Sequence, residues 1–247
     1  MRILRHFILL ACLALASALG VGAPIEVFVN SFQEPKAWED ETGMHGYVVE
    51  TAEAIFMDAE IDYVWASVPF VRAMAETRAC KGLMVGVFTS PERSAFLAYS
   101  DSIVPDNVGL VTRAGNPFVY ARSADLAGKT VTFLSGGIFG IDLNELTHSR
   151  LDPQIKSDVM LKKLVAGRTD VVILSPREQI PVAARQAGIP MNQLRVATKN
   201  LATLDNHIVA CKNDPRYGPI LARVNQSIAK LKASGEFDRI MKTYQKF

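Results

Sequence analysis

Cysteine is scarce in this chain, three in 247 residues. No CxxC pair occurs, which excludes a disulfide scaffold and a four-thiolate zinc site. Charge of one sign is equally lacking: 27 Lys and Arg stand against 25 Asp and Glu, a formal +2. A nucleic-acid binder carries a basic stripe and a larger imbalance. HExxH and GxSxG are both missing, so metalloprotease and serine-hydrolase frameworks have no anchor. His45, His148 and His207 are scattered, with no carboxylate or nucleophile at a telling spacing. Apolar residues, in contrast, make up 49% of the chain. That fraction excludes low-complexity disorder, and a chain of this size buries roughly 70–75% of its unfolded surface without staples.

Long apolar runs are confined to the start. Arg2 and Arg5 form a short basic region, and the stretch from Phe7 to Ala23 is uncharged and ends in small residues. Ala16-Ser17-Ala18 gives an A-x-A cleavage site; Val21-Gly22-Ala23 is a second, opposed by the Pro24 that follows it. Residues 1–23 therefore read as a secretory signal peptide cut between 18 and 23. A membrane anchor needs about 20 strongly apolar residues, more than this Ala/Gly-tailed run supplies. Leu9-Leu10-Ala11-Cys12 loosely resembles a lipoprotein box but leaves few apolar residues before the cysteine. Removing residues 1–18 takes away two basic and no acidic side chains, so the mature protein is neutral. It is expected in an exported compartment with two cysteines, Cys80 and Cys211. These pair if their Cα atoms come within about 7 Å, or stay as two buried thiols. Both readings remain open.

The mature chain alternates strand and helix signals. Pro24–Val29 is β-rich, and Asn30–Met44 reads as a loop carrying Trp38. Val48, Ala52, Ile55, Phe56 and Ala59 recur at helical spacing. Ile61–Trp65 reads as a strand, Phe70–Thr77 as a helix, and Gly82–Phe88 as a strand covered on both faces. A break at Arg113–Pro117 precedes a second unit: strand Lys129–Leu134, glycine turn Ser135-Gly136-Gly137, helix Ile141–Leu146, helix Val159–Val165, strand Asp170–Leu174 and helix Glu178–Ala187. His207–Ala210 is a further strand and Tyr217–Tyr244 a long amphipathic stretch. The fold class is α/β.

The segment Phe88-Thr89-Ser90-Pro91-Glu92-Arg93 follows a buried strand. Ser90 suits an N-cap, Pro91 the first helical position and Glu92 the positive dipole end. A helical turn at the carboxyl end of a strand is where open α/β sheets bind ligands. There Arg93 offers a planar fork for a carboxylate; the alternative is a surface turn with Arg93 paired to Glu92 or Asp101.

Phe88 to Asp101 (FTSPERSAFLAYSD) resembles the T-x-T-x-E-R…F-S signature of family 3 bacterial solute-binding proteins, the periplasmic receptors of polar amino-acid ABC transporters. Gly46-Tyr47-Val48-Val49-Glu50 is similar to that family's G-F-D-V-D, Ala124–Lys129 to D-L-x-G-K, and Leu164–Asp170 to L-x-x-G-R-x-D. Each motif is weak alone; four in order are specific. The resemblance implies a type II periplasmic binding protein fold, two α/β lobes joined by two crossover strands. Lobe 1 is then about 24–112 plus 205–247 and lobe 2 about 113–204, with Cys80 and Cys211 both in lobe 1. It implies Arg93 as carboxylate clamp, with Phe88 where a hydroxyl contact is usual and Ser175 where an aspartate usually meets the ammonium group. Glu50 is expected to support its helix. Pro69-Phe70-Val71-Arg72-Ala73 and Ser135–Gly140 are closer to an offshoot often encoded without an obvious permease. In it the glycine–aromatic turn presents N–H groups to ligand. Trp38, Trp65 and Phe139 are candidates for an aromatic cleft wall.

The implied function is a periplasmic receptor that closes on a small carboxylate-bearing solute, an amino acid or related organic acid, for ABC transport or sensing. The expected ligand site is Arg93, Phe88, Ser90, Trp38, Gly136, Phe139 and Ser175. No metal or cofactor is implied, nor a nucleic-acid partner. The protein is expected to be a monomer whose permease or sensor acts in trans. The alternative is an enzyme on the same fold, cyclohexadienyl-dehydratase-like, with Glu178 the nearest general acid; a non-enzyme is the preferred reading.

Overall fold

The computed structural model describes residues 23–143, 146 and 148–244, so the signal-peptide reading lies outside the described residues except at Ala23. The chain opens with β1 (Ile25–Val29), whose last three residues are buried. Where the sequence predicts a loop, three short antiparallel strands follow: β2 (Phe32–Gln33), β3 (Ala37–Asp40) and β4 (Gly43–His45). Strands of two to four residues are too short for an alternating pattern to announce them. Helix α1 (Tyr47–Asp58) buries Val48, Ala52, Ile55 and Phe56, the spacing expected. Then come β5 (Tyr63–Ser67), α2 (Phe70–Arg78), β6 (Leu83–Val87), the single turn α3 (Pro91–Ser94) and β7 (Leu97–Tyr99).

The second half holds β8 (Pro105–Arg113), β9 (Thr130–Leu134), β10 (Arg150–Gln154), α4 (Ser157–Val165), β11 (Val171–Leu174) and α5 (Gln179–Ala187). It continues with β12 (Leu194–Val196) and β13 (Ala202–Asp205). The helix expected over Ile141–Leu146 falls partly on residues outside the description and is not among the described elements. The chain then returns with β14 (His207–Cys211), α6 (Tyr217–Ser234) and α7 (Glu236–Tyr244). The C-terminal stretch is two helices because Gly235 sits in the left-handed region, φ 77°, which ends α6 and turns the chain.

The strands segregate into two main sheets. One has the order β5-β1-β6-β14-β7, with β1 parallel to β5 and β6, and β14 antiparallel to β6 and β7. The other has the order β10-β9-β11-β8-β12, its first three strands parallel. Helices cover each sheet, giving two α/β lobes. The apolar run of β11 serves two cores: Val172 and Leu174 pack with Met160, Leu164 and Ile180, while Val171 and Ile173 pack with Leu110, Phe133 and Phe139. The chain crosses between the sheets twice, through β8 and β13. These strands pair antiparallel over Pro105–Val108 and Ala202–Asp205. β8 hydrogen-bonds to β11, β12 and β13, so its first half lies with second-lobe strands rather than in the first sheet.

Cys80 and Cys211 form a disulfide, Cα–Cα 5.1 Å, tying the turn after α2 to the end of β14. Among the described residues no helix is long and apolar enough to cross a membrane.

Candidate functional site

The carboxyl ends of β1, β6, β9 and β11 converge on one cavity of about 80 Å³. Asn30 follows β1 and Phe88 follows β6, while Ser135 and Ser175 follow β9 and β11 across the gap. Gln33, Lys36, Phe70, Gly86, Arg93, Leu134, Gly137, Ile138 and Phe139 complete the wall. Strand ends concentrate loops and free backbone polar groups, which is why open α/β sheets bind ligands there.

Arg93 is placed by its own local sequence. Ser90 caps α3, its Oγ accepting the Arg93 N–H at 3.2 Å, and Pro91 starts the turn. This turns the guanidinium inward, where it is 9% exposed. Nη1 donates to Phe88 O at 3.2 Å and Nη2 to Gly136 O of the opposite lobe at 3.1 Å. The Phe70 ring lies 5.0 Å from its Cζ. Among the described residues Arg93 forms no ion pair, with Glu92 or Asp101 or any other carboxylate, so this is not the surface turn of the alternative; burial lowers its pKa from the ordinary arginine value. Because α3 is one turn and Ser90 takes the Arg93 N–H, the side chain is what this segment offers a ligand, not the helix end.

Phe88, Phe139 and Ser175 also line the cavity. Ser175 is 7% exposed, and its Oγ has no hydrogen-bond partner. Ser90 acts through Arg93, and Gly136 through its carbonyl. Within the glycine turn, Ser135 N donates to Gln154 O and Gly137 N to Leu134 O, so these two N–H groups are engaged inside the lobe. Trp38 is a correction. It packs on Tyr244 and His45, ring centroids 6.2 and 5.5 Å away, and is not a cavity residue. Trp65 packs on Phe56 and Tyr63 and donates to Glu53. Arg72 is exposed beside Glu76. Glu50 accepts from the Tyr244 hydroxyl, tying α1 to α7.

Sequence reasoning missed Lys36. Its Nζ donates to Asp106 Oδ2 at 2.8 Å, Asn206 Oδ1 at 2.6 Å and Gly86 O at 3.2 Å, and lies 4.5 Å from the centroid of the Phe88 ring. Asp106, fully enclosed at the start of the crossover, also accepts from Tyr47 Oη at 2.6 Å and Asn206 Nδ2 at 2.7 Å. Burial and the adjacent Asp106 charge push the Tyr47 hydroxyl pKa well up. Gly46 makes room for this: at φ 120°, a Cβ there would stand 2.2 Å from Lys36 O. Glu178, the acid of the enzyme alternative, is half-buried beside Asp106 and Asn107 and is not a cavity residue; burial raises its pKa.

The lobes touch across the gap. Besides Arg93 and Gly136, Gln33 Nε2 donates to Ser175 O at 3.3 Å and Gln179 Nε2 to Phe32 O at 3.4 Å. Arg185 pairs with Glu34 at 3.2 Å on the rim.

The architecture is shared with solved structures. A mutant of ArgBP from T. maritima superposes with a TM-score of 0.75 at 21% identity, over 90% of this chain and 95% of that one. A histidine kinase sensor domain with similarity to periplasmic binding proteins gives 0.76 at 19%, over 90% and 96%. The arginine-, lysine-, histidine-binding protein ArtJ from Geobacillus stearothermophilus gives 0.71 at 18%, over 90% and 94%. At these identities the likeness shows the fold, the type II periplasmic binding protein architecture. No curated protein sequence matches the chain. The model of the bacterial extracellular solute-binding proteins, family 3, matches residues 25–247, and the chain belongs to that family.

Proposed function

We propose that this protein captures a small carboxylate-bearing solute, an amino acid or related organic acid, by closure of its two lobes, for ABC transport or sensing. The observation that carries the reading is Arg93, a buried side chain at the wall of an inter-lobe cavity with two of its side-chain donors engaged among the described residues. The remaining donors of its fork suit the two oxygens of a carboxylate. Lobe 1 spans about 24–104 and 206–247 and lobe 2 about 109–201, a few residues off the sequence boundaries because β8 from Gly109 on pairs with β11 and β12. The paired segments Pro105–Val108 and Ala202–Asp205 are the flexing ribbon. Closure is a population shift: the solute favours the closed state by as much as its contacts there exceed those in the open one. The protein works as a monomer in the periplasm after its signal peptide is cut between residues 18 and 23, and a permease or sensor reads the closed shape.

The test is thermal unfolding of the purified protein against amino acids, dicarboxylates and short peptides. The parent protein is expected to be stabilised by at least one carboxylate, and Arg93→Ala to lose that stabilisation while still unfolding cooperatively. Undiminished stabilisation of Arg93→Ala sinks the reading.

A further inference from the structure

Whether an acid with an attached ammonium group fits this cavity depends on what is left there to accept from it. Among the described residues, the wall holds two cations, Lys36 and Arg93, and neither Asp nor Glu. The nearest enclosed carboxylate, Asp106, is already saturated by donors from Lys36, Tyr47 and Asn206. Glu178 faces Asn107 and Asp106 at the crossover. Backbone carbonyls and aromatic faces are the other acceptors of positive charge, and the protein's own cations use them. Gly86 O accepts from Lys36, and Phe88 O and Gly136 O from Arg93. The Phe88 face carries Lys36 and the Phe70 face carries Arg93. What remains is neutral: Ser175 Oγ, buried and without a partner, and the side chains of Asn30, Gln33 and Ser135. Hydroxyls and amides donate to or accept from a neutral ligand oxygen, but give an ammonium group no opposite charge. Arg93, which has no ion-pair partner among the described residues, opposes that ammonium directly, and Lys36, balanced by Asp106, leaves no net negative charge to offset it.

From this we infer that the cleft selects small organic acids lacking an ammonium group, plain, hydroxy or keto acids with an apolar body against Phe88, Phe139, Leu134 and Ile138, over the α-amino acids of the same skeleton. The inference rests on the carboxylate reading of Arg93 and narrows it.

The experiment is calorimetric titration of the full mature protein with matched pairs: isocaproate and leucine, hydrocinnamate and phenylalanine, glutarate and glutamate, each with its hydroxy acid. In every pair that binds, the acid without nitrogen is expected to bind at least about tenfold more tightly than the amino acid. Ser175→Asp, which puts a carboxylate at the wall, is expected to narrow or reverse that ratio. An amino acid that binds as tightly as its nitrogen-free partner overturns this inference and leaves the carboxylate reading standing, as does a Ser175→Asp protein with an unchanged ratio. If no acid of either kind binds, the carboxylate reading itself falls and this inference with it.

Discussion

Lys36, in the cavity wall, and Asp106, enclosed behind it, are an ion pair with almost no exposure, 2.8 Å apart. Each is tolerable there only because the other is present, together with Asn206 and Tyr47. Removing one partner from such a pair leaves an uncompensated charge, while removing both leaves a neutral space. Lys36→Met is therefore expected to cost about 3–5 kcal/mol in urea unfolding. The double variant Lys36→Met/Asp106→Leu should cost clearly less than the two single changes added together; strict additivity would show that the pair does not act as a unit. The same residue shows where sequence reading stopped. Arg93 was legible because its placement is local, set by Ser90 and Pro91 within three positions. Lys36 was not, because its partners lie 70 and 170 residues away. Nothing in the spacing of Asn30–Met44 distinguishes a buried lysine from a solvated one. Trp38, the conspicuous residue of that segment, lies two positions from Lys36 but packs on Tyr244 instead.

The helices that carry first-lobe packing were read from periodicity because their apolar stripes repeat over three turns, as in α1. The short strands were not, since β10 and β12 gain their role only from a neighbour. Pro153 within β10 argues against a central strand, and β10 is indeed an edge strand paired with β9 alone. Element-level ties are polar as well as apolar. Asp58 at the end of α1 accepts from Ser227 at 2.8 Å and pairs with Lys230, both on α6. The bond from Lys230, then that from Ser227, holds its carboxyl pKa below the ordinary 3.8. The folded state thus keeps this carboxylate ionised to lower pH than the unfolded chain does. Its stabilisation is complete above the unfolded value and is lost as pH falls through the folded one. The stability difference between the parent protein and Asp58→Asn should therefore shrink as pH is lowered from about 5 to about 2. Denaturant titrations across that window measure it, and a difference that stays constant refutes the tie.

At the scale of the molecule, the two lobes meet through a few polar contacts and two strands. The rim pair Arg185–Glu34 bridges the two lobes, yet neither residue lines the cavity. Arg185 is well exposed, and an exposed pair contributes at most about 1 kcal/mol. If solute binding draws on the closed population, Arg185→Ala lowers every apparent affinity by the same factor, no more than about fivefold. The order of preference among solutes stays as it was. Arg93→Ala, in contrast, removes a cavity donor and should abolish binding of the carboxylates rather than scale it. Titrating both variants with one set of acids separates a contact that gates closure from one that holds the ligand. A rim variant that reorders the ligands would mean that Arg185 touches them, and that closure is not the step it controls.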